Sequence, residues 1–244
     1  RQDMYKVIRK ANLMLARMDE CQDMTALDRR NYTGYIHFLR GYAYYHILMT
    51  CGPAILVGDE IFESNLEGPA YNTYRATYDE TVEYICSELE TAAAYLPLKA
   101  SIAQFERPTK GAAYALIARL RLHAASPLFN GTSTARLYFG NWKRTYDKEY
   151  YVNPNYSEEK WALAAAACKR VIDMNVYELF TVSKDQNTPQ LPAGVPTENF
   201  PDGAGGIDPF KSYSYMFTGD EPFKNNNEII WGRISEEVKG YTQQ

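Results

Sequence analysis

Two long segments of the chain, residues 131–156 and 181–222, lack helical periodicity and carry the side chains best suited to binding a neutral polar ligand. An aromatic ring can stack on the apolar C–H face of a sugar, while amide, carboxylate and ammonium groups form hydrogen bonds with its hydroxyls. The candidate ligand-binding residues are Asn141, Trp142 and Tyr146 in the first segment and Asp208, Lys211, Tyr213, Tyr215 and Phe217 in the second. In the alternative interpretation, these rings attach the loops to the scaffold or face a partner protein.

Hydrolysis of a glycosidic bond is a second chemistry to weigh, because it needs only two carboxylates that meet in space. The acidic residues Asp59, Glu60 and Glu63 lie on the connection after the second predicted helix, and a catalytic pair would be sought there first. A solvated acidic loop explains the same cluster without catalysis. We therefore predict that the protein is not an enzyme.

Other catalytic and metal-binding patterns are absent from the sequence. It contains no HExxH, GxSxG, GxGxxG or phosphate-loop motif. Two of the three histidines, His37 and His46, share a predicted helix but stand half a rotation out of register, so they do not form a ligand pair. The four cysteines are too scattered for a zinc site or a CxxC motif. The sequence predicts neither a metal nor a cofactor.

Composition and charge exclude further classes of partner. The chain has 26 Lys and Arg residues against 30 Asp and Glu residues, and it lacks the clustered cations that nucleic acid requires. No apolar run approaches the roughly 18 residues that a membrane span needs. Hydrophobic residues make up 45% of the chain, which is typical of a globular domain. A neutral ligand fits this balance better than a polyanion.

The elements that must position the candidate residues are predicted to be helices, because apolar residues recur at steps of three or four. The segment Thr77 to Glu80 matches a capping box, which places a helix start at Tyr78. A Gly-Pro pair at Gly52 is expected to end the helix before it. The predicted helices cover residues 3–19, 28–51, 78–96, 109–126 and 157–172.

The spacing of these helices predicts the fold. Helical pairs recur at about the 34-residue period of tetratricopeptide (TPR) repeats, although no unit carries the complete TPR signature. We predict a mainly all-α, TPR-like stack of helical hairpins, an α-α superhelix, over residues 1–180. Residues 181–244 form a loop-rich segment in this prediction, with a short strand at residues 227–231.

Several sequence segments, in order and at suitable spacing, resemble the SusD/RagB family. The stretch YIHFLRGYAYY followed by CGPAILV is similar to the family's aromatic helix and its YGPxPLV turn. The segments that carry the resemblance are 35–45, 51–57, 75–80 with 96–97, 108–113, 126–131, 161–173 with Tyr177, and 227–231. They span almost the whole chain.

The resemblance implies a function that periodicity alone does not provide. Members of this family are surface lipoproteins that bind glycans, or in some relatives peptides, for a SusC-like TonB-dependent transporter in a Gram-negative outer membrane. It further implies that this chain is a fragment without the signal peptide and the C-terminal part, so that a lipid anchor would lie outside it. Two other classes stay open: a helical-repeat adaptor that binds only protein, and an all-helical glycoside hydrolase.

Overall fold

The computed structural model of the protein describes residues 2–63, 67–68, 73–218 and 226–232. Within these ranges the chain forms the helices α1 (Gln2–Arg17), α2 (Ala26–Cys51), α3 (Tyr78–Tyr95), α4 (Lys110–Ala125), α5 (Ser133–Phe139), α6 (Glu158–Asp173) and α7 (Pro209–Thr218). Extended structure in the same ranges is limited to isolated β-bridges. None of the described helices is both long and apolar enough to cross a membrane.

The described residues divide into two compact units. The first ends at Asp173 and contains α1 to α6, and the second, Met174–Gly232, contains α7. The division at residue 180 drawn from the sequence stays a prediction. Parts of its second segment, residues 219–225 and 233–244, lie outside the described residues.

Threonine side chains begin four of the helices. Thr25, Thr77, Thr109 and Thr132 each precede a helix and accept a hydrogen bond from the backbone N–H three residues later. Such a cap satisfies one of the amides that a helix leaves unpaired at its first turn. At Thr77 the capping box predicted from the sequence is complete, since the Glu80 carboxylate also accepts from the Thr77 N–H.

Helices of the first unit pack on their neighbours in order: α1 on α2, α2 on α3, α3 on α4 and α4 on α6. Small residues allow close approach, because a Cβ atom at Gly41 of α2 would lie only 3.2 Å from Leu89 Cγ of α3. The largest fully buried side chains include Phe38, Tyr44, Ile47, Ile85, Leu89 and Leu120. This stack confirms the predicted all-α, TPR-like fold.

A buried ionic network fastens α1, α2 and α3 together. Arg40 of α2 is only 3% exposed, and its Nε and Nη2 atoms donate to the two carboxylate oxygens of Glu88 of α3, both at 2.7 Å. Its Nη1 atom donates to Asn12 Oδ1 of α1 at 2.8 Å and to Asp59 Oδ1 at 2.5 Å. The connection after α2 is therefore held to the helices through Asp59.

The strand predicted at residues 227–231 is wrong, because this segment begins with a turn. The Asn226 side chain accepts from the Glu228 N–H at 3.0 Å, and the Glu228 carboxylate accepts from the Phe180 N–H at 2.9 Å. A strand also needs a partner ladder, and the β-bridges among the described residues do not include this segment.

Two helices lie inside segments that we predicted to be irregular. Helix α5 begins after the Thr132 cap, and α7 begins at Pro209, directly after Asp208. Proline suits the first helical position because its fixed φ matches the helix and its missing N–H is not needed there. The candidates Tyr213, Tyr215 and Phe217 therefore stand on a helix and not on a loop.

Candidate functional site

Residues 142–151, between α5 and α6, form a short antiparallel hairpin that we call the aromatic hairpin. Its two arms are joined by backbone hydrogen bonds from the Tyr151 N–H to the Trp142 carbonyl at 3.0 Å and from the Arg144 N–H to the Glu149 carbonyl at 2.8 Å. The hairpin presents its aromatic side chains from a defined backbone, which is what a stacking surface requires.

Exposed rings cluster on the aromatic hairpin. Trp142 is 39% exposed and its ring centroid lies 4.5 Å from that of Tyr151. Tyr146 is 51% exposed and packs on Tyr74, with 4.2 Å between the ring centroids. Asn141, directly before the hairpin, is also exposed. The structure thus brings the three candidates of the first segment onto one short stretch of surface.

A stack of aromatic rings supports Trp142 from behind. Ring centroids are 6.5 Å apart for Trp142 and Phe139, 5.6 Å for Phe139 and Phe129, and 4.3 Å for Phe129 and Tyr78. Tyr78 belongs to the core at the start of α3, and burial raises the pKa of its phenol. The exposed tryptophan therefore rests on side chains whose positions the core determines.

The aromatic hairpin is tied to the start of α3 at two points. The Tyr78 N–H donates to the Tyr151 carbonyl at 2.7 Å, and Arg144 Nη1 donates to Glu80 Oε2 at 2.8 Å. Burial raises the pKa of the Glu80 carboxyl, but hydrogen bonds from the Thr77 N–H and from Arg144 outweigh it and leave the pKa below its ordinary value. Glu80 is therefore an ionised anchor for the hairpin at neutral pH.

In the second unit, helix α7 exposes a separate pair of aromatic rings. Tyr213 and Phe217 are one turn apart, are each 69% exposed, and have ring centroids 5.1 Å apart. Tyr215 is only partly exposed. We call Tyr213 and Phe217 the α7 aromatic pair.

The polar candidates of the second unit hold α7 in place. Asp208 is fully buried, and its carboxylate accepts from the Lys211 N–H and from the Thr188 hydroxyl, each at 2.9 Å. The Lys211 ammonium donates to Asp185 Oδ2 at 2.7 Å. These groups already have partners within the protein, so their geometry accounts for the start of a helix without a ligand.

The acidic candidates for hydrolysis lie on the connection that follows α2. Asp59 bonds to Arg40, while Glu60 and Glu63 are exposed on the same connection. Among the residues that the structure describes, no group of His, Cys, Asp and Glu side chains is arranged to hold a metal ion.

Sequence reasoning missed four residues that shape the aromatic hairpin: Tyr74, Phe139, Arg144 and Tyr151. Arg144 lies between Trp142 and Tyr146 in sequence, but it is buried whereas both rings are exposed, and the local sequence did not indicate this difference. Tyr74 carried no local signal either, since its contact with Tyr146 joins distant parts of the chain.

Comparison with known proteins identifies a family and several solved structures to which this chain is similar. Residues 2–122 match a family model described as starch-binding and associating with the outer membrane. A solved structure named BT4246 is 25% identical, with a TM-score of 0.73 over 96% of this chain and 40% of its own. A SusD-like protein from Bacteroides fragilis is 21% identical, with a TM-score of 0.62 over 96% of this chain and 33% of its own. Comparison with curated proteins gives no match.

The stacked hairpins define a TPR-like, all-α helical protein. Within that class, residues 2–122 belong to the SusD-like family, whose model they match. A SusD superfamily protein from Parabacteroides distasonis shares the fold as well, at 22% identity and a TM-score of 0.51 over 74% of this chain and 32% of its own. The chain spans two fifths or less of the length of these solved structures.

Proposed function

We propose that this chain belongs to a non-catalytic cell-surface protein that captures oligosaccharides and delivers them to a SusC-like TonB-dependent transporter. The observation that carries the proposal is the pair of exposed rings, Trp142 and Tyr146, on one hairpin that is braced by the core. The description of the family, starch-binding and associated with the outer membrane, supports the class of ligand and the location. A lipid anchor outside this chain is part of the same proposal, and peptides are the alternative cargo.

The physical basis is stacking on rings that do not need to be ordered first. Trp142 contacts Tyr151 and Phe139, so its remaining exposed surface is held in place and can meet the C–H face of a sugar. Binding to side chains that are already fixed avoids the entropy cost of immobilising them. The exposed amide of Asn141 lies next to the rings in sequence and can bond sugar hydroxyls. We propose the α7 aromatic pair as a second stacking surface.

Calorimetric titration of the full-length protein with neutral oligosaccharides, maltoheptaose first, tests the proposal. A pair of stacked aromatic rings contributes about 0.5–1.5 kcal/mol beyond its buried area, and we expect a sugar face stacked on Trp142 to contribute a similar amount. Trp142→Ala is therefore expected to weaken binding about tenfold, which corresponds to about 1.4 kcal/mol. Trp161→Ala is the matched control, because Trp161 of α6 is 41% exposed and lies outside the aromatic hairpin. It should leave the affinity unchanged.

Three outcomes would contradict the proposal in different ways. If neither oligosaccharides nor peptides bind, the chain is better explained as a helical-repeat adaptor for a protein. If Trp142→Ala and Trp161→Ala have equal effects, the aromatic hairpin is not the ligand surface. Release of reducing sugar that Asp59→Asn abolishes would establish a glycoside hydrolase instead. Co-purification of a TonB-dependent transporter with the full-length protein tests the proposed partner separately.

A further inference from the structure

The guanidinium of Arg144 bridges two carboxylates. One belongs to Glu80 at the base of the aromatic hairpin, and the other belongs to Asp147 at its tip. Arg144 donates through Nη1 to Glu80 Oε2 at 2.8 Å, and its Nη2 atom lies 2.7 Å from Asp147 Oδ2. Its Nε atom donates to Asp147 Oδ1 at 3.1 Å, so the contact with Asp147 uses both oxygens. The Arg144 side chain is buried, whereas Glu80 is half-exposed and Asp147 is partly exposed.

The same side chain also faces one of the candidate rings. The Arg144 guanidinium carbon lies 5.2 Å from the centroid of the Tyr146 ring, within the range of a cation–π contact. Tyr146 thus has Arg144 on one side and Tyr74 as its ring partner. The orientation of this exposed ring depends on where the guanidinium is held.

Glu80 is itself fixed in position. Its Oε2 atom accepts from the Thr77 N–H at 2.6 Å in the capping box, and the next residue, Thr81, is completely buried in α3. The Arg144 bridge therefore connects the hairpin to a rigid helix and not to another loop. At the tip, Asp147 Oδ1 also accepts from the Glu149 N–H at 3.1 Å, so the bridge reaches the turn as well.

We propose that Arg144 is the positioning residue of the ligand site: its bridge from Glu80 to Asp147 keeps Trp142 and Tyr146 in their binding arrangement before ligand arrives. The proposal rests on the proposed function of the aromatic hairpin. Arg144 acts through the rings and does not contact the ligand, because its side chain is buried and bonded to Glu80 and Asp147. Loss of the bridge lets the hairpin sample other conformations, and binding must then select the competent one.

Lysine cannot replace arginine in this role. The planar guanidinium presents donors in a fixed fork that can bond two carboxylates at once, whereas an ammonium is a single point charge on a flexible stem. Arg144→Lys keeps the positive charge, but the single ammonium group can bond Glu80 or Asp147 in the native geometry and not both. This variant therefore removes the bridge with little other change.

The experiment combines hydrogen exchange of the ligand-free protein with titration of maltoheptaose. In Arg144→Lys, the hairpin amides of Lys148 and Tyr151, which donate to backbone carbonyls in the native structure, should exchange about tenfold faster. Affinity for maltoheptaose should fall about tenfold while the melting temperature stays close to that of the native protein. Arg121→Lys is the matched control, since Arg121 of α4 pairs with Glu83 of α3 away from the hairpin.

The possible outcomes distinguish the positioning role of Arg144 from the proposed function of the aromatic hairpin. Unchanged exchange at Lys148 and Tyr151 would overturn the positioning role, whatever happens to binding. Faster exchange with unchanged affinity would show that the bridge orders the hairpin but not the ligand site, which also overturns the proposal. If the native protein itself binds no maltoheptaose or other oligosaccharide, the proposed function fails, and the exchange data alone show whether Arg144 holds the hairpin. Asp147→Asn provides a second variant should Arg144→Lys not fold.

Discussion

Replacing Glu88 with alanine tests how far the buried ionic network holds the first three helices together. Glu88 accepts two hydrogen bonds from Arg40, both at 2.7 Å, and both side chains are almost completely buried. After the substitution the Arg40 guanidinium stays in the core with only Nη1 bonded, to Asn12 and Asp59. The charge is then only partly compensated.

The size of the effect follows from this geometry. Removing one partner of a buried ion pair costs about 3–5 kcal/mol, because a buried charge is left behind. Asp59 still faces Arg40, so we expect a loss near the lower end, about 3 kcal/mol. Glu90→Ala on the same helix is the matched control. It breaks a half-exposed pair with Arg170, and such pairs contribute about 1 kcal/mol or less.

Urea unfolding followed by far-ultraviolet circular dichroism measures both variants against the native protein. A loss in Glu88→Ala no larger than the loss in Glu90→Ala would refute the reasoning, because burial would then add nothing to the pair. A further variant that combines Arg40→Met with Glu88→Leu removes both charges together. It should recover part of the lost stability, because no charge is left buried, whereas the buried Asn12 Oδ1 loses the donor that Arg40 supplied.

Two further expectations concern the backbone and pH. Gly131 has a φ of 63° and a Cβ there would lie 2.1 Å from other backbone atoms, so Gly131→Ala should lower the melting temperature in calorimetry by about 5–10 °C. Gly58→Ala, with a φ of 56° but open space around it, should lower the melting temperature by less than half as much. Burial raises the pKa of Glu88, but hydrogen bonds from His37 and Arg40 outweigh it and leave the pKa below its ordinary value. Its stabilising contribution is therefore present above the unfolded-state pKa and is lost as the pH falls through the lower folded-state value. Urea unfolding from pH 6 to pH 3 should show a shallower decline in Glu88→Gln than in the native protein.

Local signals were sufficient to predict the long helices. The capping box at Thr77 and Glu80 and the Gly-Pro pair at Gly52 are contained within a few residues, and the structure confirms α3 and the end of α2 at these points. Helices α1, α4 and α6 were predicted from apolar periodicity, because each buries one face against a neighbour.

The two helices that we did not predict, α5 and α7, lack a clear contrast between an apolar face and a polar face. Helix α5 has only seven residues, which is about two turns and too short for a periodic pattern to stand out. Helix α7 exposes Phe210, Tyr213 and Phe217, so its apolar residues do not mark a buried face. The start signal at Asp208-Pro209 was present but was not sufficient against a background rich in proline and glycine.

Only part of the candidate site could be predicted from the sequence. Aromatic residues in a long irregular segment pointed to Trp142 and Tyr146, and the structure places them on one hairpin. The bridge that holds this hairpin joins Arg144 to Glu80, 64 residues apart in the chain, and no local rule predicts such a contact. Which of the candidate rings, Trp142 and Tyr146 included, touch a ligand stays a prediction.

The attachment of the aromatic hairpin at two points on α3 has an evolutionary consequence. The Tyr78–Tyr151 backbone bond does not depend on the identity of either side chain, and the Glu80–Arg144 pair lies at the base of the loop. Thr145, Tyr146 and Lys148 at the tip are exposed, so mutations there leave the helical stack intact. A gene encoding this scaffold can therefore diversify the tip residues, and with them the ligand preference that we propose for this surface, under little constraint from folding.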